Sequence, residues 1–458
     1  MADKLNPWMK QRIEAAEKRG SPLKYIIEVA PGTRESVLAQ FRALPGLSIL
    51  STPADRYITV DLPTTALLSR IESIPEVVKI SAEIVYGIRG TTLLTGLPLR
   101  LPSVFDPWRG DVGISKVEVD VGLLEGLAKL PLRALASTEE TVYTTDQVRQ
   151  LLGVPKENKI QTRVAVLDTG GIKWPHPLMH IDTKVYLKSL VPGELPIDGM
   201  SHGSWVQAAA FGDDFTHPRW GRCEGVADAY EQAHFKVLSN LGFGMLSWIL
   251  DGIYKAYEWG ARLISMSLGG PLEGSAIDDD PTCRLVNDLS AKGVLFVIAT
   301  GNEGRDWSIG SPGTAPSAIT VGAWGITRNA LAGFSSRGPS GEFYRDHPDI
   351  WQRDLAIVGE DLRKPDLVCY GGDDLAKEKL VSAGMPWYSG LTDPVPGFSL
   401  MMGSSMSTPI AAGIIALALD QGHIKSAADV RAKLKQYWTG EKSPSMGFGL
   451  LTFAKLMP

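Results

Sequence analysis

Cysteine is scarce in this sequence: Cys223, Cys283 and Cys369 are the only three in 458 residues, far apart and without CxxC spacing. An odd, scattered set argues against a disulfide framework or a zinc–thiolate site and suits a reducing compartment. No basic stripe is present. The formal net charge is −5, with Lys and Arg spread along the chain, so nucleic acid is not an expected partner. The opening segment MADKLNPWMKQRIEAAEKRG is charged throughout and lacks the apolar stretch and small-residue cleavage point of an export signal. A cytoplasmic protein, or one exported without a recognisable signal, is therefore expected, and a secreted one if the sequence lacks its leader. The apolar run from Ile410 to Leu419 is about half the length that spans a bilayer and reads as a buried helix. The HExxH pair of many metalloproteases is missing as well.

What remains is a chain of ordinary globular texture, 44% hydrophobic and 21% charged, long enough for two or three domains. From Lys24 to Tyr86 the pattern runs strand, helix, strand twice over. Val37, Leu38, Phe41 and Leu44 share one helical face, and Leu67, Leu68, Ile71 and Ile74 share another. Ile58, Val60 and Leu62 alternate with Tyr57, Thr59 and Asp61, as a half-buried strand should. A small βαββαβ unit is expected over residues 24–89, after an extension covering 1–23. Over 90–141 periodicity weakens, which suggests a linker or insert. From 142 to 458, apolar runs at Val164–Leu167, Leu263–Met266, Val294–Ala299 and Ile319–Val321 alternate with helical stretches. Such a pattern predicts an α/β domain with a largely parallel central sheet covered by helices on both faces.

In sheets of that kind, functional residues gather beyond the carboxyl ends of the strands. Asp168 follows Val164–Leu167 directly and precedes Thr169-Gly170-Gly171; a carboxylate there needs a partner, though a turn or cap reads equally well. His202 begins a helical stretch in Ser201-His202-Gly203-Ser204-Trp205, a place where a histidine is often structural. Ser405, in Gly403-Ser404-Ser405-Met406-Ser407-Thr408-Pro409, heads the apolar helix. It reads as a cap, or as a nucleophile set beside free N–H groups. Asn302 follows a strand in Ala299-Thr300-Gly301-Asn302, where it is a turn residue or an amide donor.

Together these four segments resemble the subtilisin-like serine proteases. So do Gly225-Val226-Ala227, Lys236-Val237-Leu238, Ser247–Ile253, Ser265–Gly270, Phe334-Ser335-Ser336-Arg337-Gly338-Pro339, Lys364-Pro365-Asp366-Leu367 and Gly447-Phe448-Gly449, all in the family's order. The resemblance implies a serine endopeptidase acting through an acyl-enzyme. Asp168, His202 and Ser405 would be its catalytic residues, and Asn302 with the Ser405 N–H its oxyanion hole. It further implies substrate-binding walls at Ser267, Leu268, Gly269 and Gly270 and at Ala299, Thr300 and Gly301, with the substrate pairing to the first as an added strand. Small glycine walls suggest room for a fairly large apolar side chain. Residues 24–89 resemble the ferredoxin-like prodomain of these proteases, which implies an autoinhibited precursor whose partners are polypeptide substrates and its own prodomain, with maturation between residues 86 and 141. Alternatives are a catalytically silent peptide-binding relative and a protease restricted to itself.

Trp205 stands where the family commonly has a second histidine, and would narrow access near the base. Gly171, Ser404, Ser407 and Cys369-Tyr370 are further departures, and Ser340–Leu362 reads as an insertion. No cofactor is expected to be required. Calcium, which many relatives bind, would have to use Asp213-Asp214, Asp278-Asp279-Asp280 or Asp373-Asp374. None has the spacing of an EF-hand loop, so solvated loop acids are the expectation and no metal residue is assigned.

Overall fold

Two helical faces repeated within 60 residues call for a sheet to bury them, and the N-terminal segment supplies it. The computed structural model describes residues 4–5, 13, 24–62, 66–88, 140–172, 175–179, 182–385 and 395–457. Most of the expected extension (1–23) and linker (90–141) lies outside these described residues. The first unit runs β1 (Lys24–Val29), α1 (Arg34–Arg42), β2 (Ser48–Ser51), β3 (Tyr57–Asp61), α2 (Ala66–Glu72) and β4 (Val77–Ala82). Its sheet has the order β2-β3-β1-β4 and is antiparallel. Val37, Leu38 and Phe41 of α1 and Leu67, Leu68 and Ile71 of α2 are buried as their spacing predicts. The expected half-buried alternation of β3 does not hold. Tyr57 and Thr59 are buried too, because the far face of this sheet is covered by the rest of the chain, as the Tyr57 hydroxyl donating to the Pro281 carbonyl at 3.3 Å shows.

After β5 (Val85–Gly87) the larger unit is built on an eight-stranded sheet. Its strands are β6 (Val164–Asp168), β7 (Lys184–Ser189), β8 (Glu231–Lys236), β10 (Leu263–Met266), β11 (Leu295–Ala299), β12 (Ile319–Gly325) and β13 (Leu367–Tyr370), with β9 (Phe243–Met245) outside it. The seven run parallel in the order β7-β8-β6-β10-β11-β12-β13, and Ala330–Leu331 adds a short antiparallel edge to β12. Alternate residues explain the continuous apolar runs. Val164, Val166, Leu263, Val297 and Ile319 pack with α3 (His202–Phe211) and α7 (Ser404–Asp420) on one face. Ala165, Leu167, Ile264, Met266, Phe296 and Ile298 pack with α4 (Leu246–Trp259) and α5 (Pro281–Ala291) on the other. The chain builds β7 and β8 on one side of β6 and then crosses to β10, so the carboxyl end of β6 is a topological switch point, where such sheets open a crevice.

The apolar cluster under α4 and α5 continues into the N-terminal sheet without a break, taking in Ile27, Tyr57, Ile58 and Ile80. Polar contacts rim it. Arg284 reaches Glu28 at 2.6 Å, Arg56 pairs with Asp288, Lys79 pairs with Asp279, and the Ser247 N–H donates to Glu83 at 2.8 Å. Burial raises the Glu28 carboxyl's pKa, while Arg284 and Arg56 pull it back. The expected insertion folds as a helical flap containing α6 (Pro348–Val358). The buried Asp354 of α6 accepts hydrogen bonds from Ser275 (2.6 Å) and Tyr344 (2.7 Å), and the Ala276 N–H donates to the Tyr344 hydroxyl at 2.8 Å. The flap therefore holds the 275–280 loop. No helix among the described residues is long and apolar enough to cross a membrane; α7, buried from Ser404 to Ala418, is the core helix that its composition predicts.

Candidate functional site

Asp168 closes β6 at the switch point, and His202 opens α3 beside it. Both are fully buried, and Nδ1 of His202 lies 2.7 Å from Oδ1 of Asp168, which also accepts the Thr169 N–H at 2.7 Å. The first N–H groups of a helix need acceptors from outside it. Ser201, the residue before His202, is left-handed (φ 73°) and does not cap; its hydroxyl instead accepts the Met385 N–H at 2.8 Å. Thr169 and Asp198 do the work in its place. The Gly203 N–H donates to the Thr169 hydroxyl at 2.9 Å, the Ser204 N–H donates to Asp198 at 2.7 Å, and the Thr169 hydroxyl donates to Asp198 at 3.0 Å. Strand tip and helix start are thereby fastened to one another. A Cβ on Gly203 would stand 2.2 Å from the Gly170 carbonyl oxygen, so only glycine permits this approach.

Ser405 lies in the first turn of α7, where its own N–H has no partner within the helix. Its hydroxyl donates to the Ser267 carbonyl at 3.3 Å, and the Ser267 hydroxyl returns a bond to the Ser405 carbonyl at 2.9 Å. Nε2 of His202 is a buried atom with no hydrogen-bond partner among the described residues. The structure thus joins Asp168 to His202 directly and draws no hydrogen bond between His202 and Ser405. Asn302 reaches the same helix start, its Oδ1 accepting the Ser404 N–H at 2.7 Å. The amide nitrogen is turned toward Gly403, where a Cβ would come within 3.2 Å of it.

The two expected substrate walls leave neighbouring strands at the same sheet edge, since β10 and β11 pair Met266 with Ile298. The chain itself lies along the first wall. Gly87 and Gly269 exchange both backbone hydrogen bonds, at 3.0 and 3.1 Å, and the Ile88 N–H donates to the Gly242 carbonyl at 3.1 Å. On its other side β5 pairs with β9 in antiparallel register, Tyr86 opposite Gly244. Residues 85–88 are therefore an added strand in a cleft that ends at Ser267 and Ser405. Ala299, Thr300 and Gly301 form the second edge, with the Gly301 N–H donating to the Ser404 hydroxyl at 3.1 Å.

A family model described as the Subtilase family matches residues 159–449, more than half of the chain. The chain belongs to the subtilase family. It is 34% identical to Pyrolysin of Pyrococcus furiosus over 226 residues, which are 48% of this chain and 16% of that protein. Serine protease AprX of Bacillus subtilis is 29% identical over 313 residues, 64% of this chain and 66% of that protein. Subtilisin E of Bacillus subtilis is 30% identical over 280 residues, 60% and 59% respectively. The chain spans from about a sixth to just under two thirds of the length of these curated relatives.

Several features of this subtilase were not legible in its motifs. Trp205 does not narrow access to His202: it is fully buried, and its indole N–H donates to the Ser399 carbonyl at 3.1 Å. The acidic clusters are solvated only in part: Asp214, Asp278 and Asp374 are exposed. Asp280 and Asp373 are buried, Asp279 pairs with Lys79, Asp278 with Arg353 at 2.8 Å, and Asp373 with Arg328 at 2.9 Å. Each has a structural partner, and no group of three or more His, Cys, Asp or Glu side chains among the described residues could hold a metal ion. No motif marks the anchoring roles of Thr169 and Asp198, although they stand within four residues of Asp168 and His202 respectively. Nor does any motif mark His234 on β8. It is fully buried, and neither ring nitrogen has a hydrogen-bond partner among the described residues.

Burial, with Lys236 and His202 adding to it and Asp168 opposing, pushes the His234 pKa down to about 3, and burial pushes His176 down to about 4. An unfolded imidazole titrates near 6.5. As pH falls below that value the unfolded chain takes up protons that the folded chain refuses, so stability present above about 6.5 drains away until the folded values are passed. The melting temperature is expected to drop by roughly 5 °C or more between pH 7 and pH 4.5. His234→Leu should flatten that slope in thermal unfolding followed across pH; an unchanged slope would show that this ring does not set it.

Proposed function

We propose that this subtilase is a serine endopeptidase made as an autoinhibited precursor, with residues 142–458 as its catalytic domain and 24–89 as its prodomain. The observation that carries the reading is the strand 85–88, held in a cleft that closes on Ser405 by the backbone pairing a substrate would use. Ser405 is the nucleophile: its hydroxyl leaves the Ser267 carbonyl, gives its proton to Nε2 of His202 and attacks the peptide carbonyl carbon. His202 then passes the proton to the departing amine, and water, activated the same way, releases the acyl group. Asp168 fixes the imidazole through Nδ1 and offsets its charge. The Ser405 N–H and the Asn302 amide donate to the oxyanion. Ser267–Gly270 and Ala299–Gly301 flank the side chain next to the cut.

The register also predicts where maturation happens. Pairing is antiparallel, so two steps on from Gly87, which faces Gly269, the position facing Ser267 is Arg89 by sequence count, beyond the described residues. The bond offered to Ser405 is then Arg89–Gly90. A fluorophosphonate probe should label the purified, matured protein at Ser405, and mass spectrometry should find a new N-terminus at Gly90. Absence of labelling after prodomain removal would overturn the catalytic reading. A labelled protein that begins elsewhere would overturn the register.

A further inference from the structure

The added strand does more than present its backbone. Tyr86 is 1% exposed, its ring lying against Gly270, where a Cβ would come within 2.9 Å of it. Its hydroxyl ends among polar side chains, 2.8 Å from the Thr282 hydroxyl and 3.1 Å from the Ser311 hydroxyl. Those two groups have a common neighbour. Thr282 donates to Oδ1 of Asp280 at 2.7 Å, and Ser311 donates to the same oxygen at 2.8 Å.

Proton counting fixes what this pocket accepts. A hydroxyl carries one hydrogen, and Thr282 and Ser311, whose own oxygens lie 2.6 Å apart, direct theirs to Asp280 or to one another. Toward Tyr86 they therefore show lone pairs. Asp280 is kept in that role by its place at the start of α5, where it also accepts the Cys283 N–H at 2.9 Å. Burial works against this by raising its pKa, and the three donors pull it down. The loop that carries Asp280 is held in turn by Ser275, whose carbonyl accepts the Asp279 and Asp280 N–H groups at 2.9 Å and whose hydroxyl is tied to Asp354 of the flap. An acceptor-only end, at the bottom of a slot shaped for an aromatic ring, suits a phenol and not a plain phenyl ring.

We propose that this pocket is a specificity site that selects tyrosine by its hydroxyl, at the position three residues before the one that supplies the carbonyl of the cleaved bond. The chain's own Val85-Tyr86-Gly87-Ile88 shows the occupied state, and polypeptides with a tyrosine in that place are the preferred substrates. The inference rests on the proposed endopeptidase reading, because it takes the 85–88 register as that of a substrate.

The test uses the full chain after maturation and two internally quenched peptides, one carrying Val-Tyr-Gly-Ile-Arg-Gly-Thr-Thr and one with phenylalanine in place of the tyrosine. The tyrosine peptide should be cut with a kcat/KM about tenfold higher, the size expected for a buried hydroxyl that keeps its partners. Thr282→Val and Ser311→Ala, made separately so that a folding failure in one leaves the other, should each shrink the ratio, and the double variant should bring it near one. Equal cleavage of both peptides by a protein that the fluorophosphonate probe labels would overturn the tyrosine site alone. Neither cleavage nor labelling would overturn the endopeptidase reading beneath it. A ratio untouched by either variant would move the discrimination away from Thr282 and Ser311 and refute the assignment.

Discussion

Replacing Ser405 with alanine is expected to leave the chain uncut at its full 458 residues and to lower peptide hydrolysis by about 10⁶-fold, the magnitude known from subtilisin for loss of the nucleophile. The effect should be chemical and not structural. The Ser405 hydroxyl makes one long bond, 3.3 Å to the Ser267 carbonyl, while the partner contact from Ser267 to the Ser405 carbonyl uses backbone and survives the change. Losing so weak a bond costs no more than about 1 kcal/mol, so the melting temperature should stay close to that of the parent. Intact mass and thermal unfolding of the same preparation separate the two effects. A purified Ser405→Ala protein trimmed at the same bond as the parent would show that maturation does not use this serine.

Asn302→Ala should reduce kcat by about 10²–10³ with little change in KM, again the range known for this donor in subtilisin, because the amide is needed where charge develops and not where substrate first rests. Asn302 has a second duty that complicates the substitution, since its Oδ1 accepts the Ser404 N–H at the start of α7. Asn302→Asp separates the two. Aspartate keeps an oxygen for Ser404 but sets an acceptor where the donor was, so its loss in kcat should equal or exceed that of alanine although the helix start is retained. Steady-state kinetics on matured protein decide the matter: an aspartate variant near parental kcat would remove Asn302 from the oxyanion site.

The parallel sheet was legible because four of its buried strands are written as apolar runs, and Val164–Leu167 ends on the carboxylate that the crevice needs; β8, buried but written Glu-Gln-Ala-His-Phe-Lys, carries no such signal. The polar side chains at the strand tips were legible only as an ordered set, since a serine or histidine at a helix start is an ordinary cap. What escaped lay in contacts between segments distant in sequence. Tyr57 looks like the outer face of a strand until the start of α5 meets it, and Trp205 looks like a lid until it is found buried and bonded to the Ser399 carbonyl. Acidic runs look alike whether they face water or, like Asp280, anchor a helix under a tyrosine. Local pattern reports the faces of an element, and only the assembled layers report which faces meet.

The unbroken apolar cluster that joins the N-terminal sheet to α4 and α5 separates two events that are easily merged. Scission of one backbone bond turns a tethered neighbour into a second molecule, and the strand in the cleft loses the high effective concentration that covalent linkage gave it. Scission by itself removes none of the area that the two surfaces bury together. Under the proposed maturation, latency would therefore be stored in an off-rate, and dilution or destruction of the freed fragment, more than the cut itself, would determine when the crevice opens to other chains.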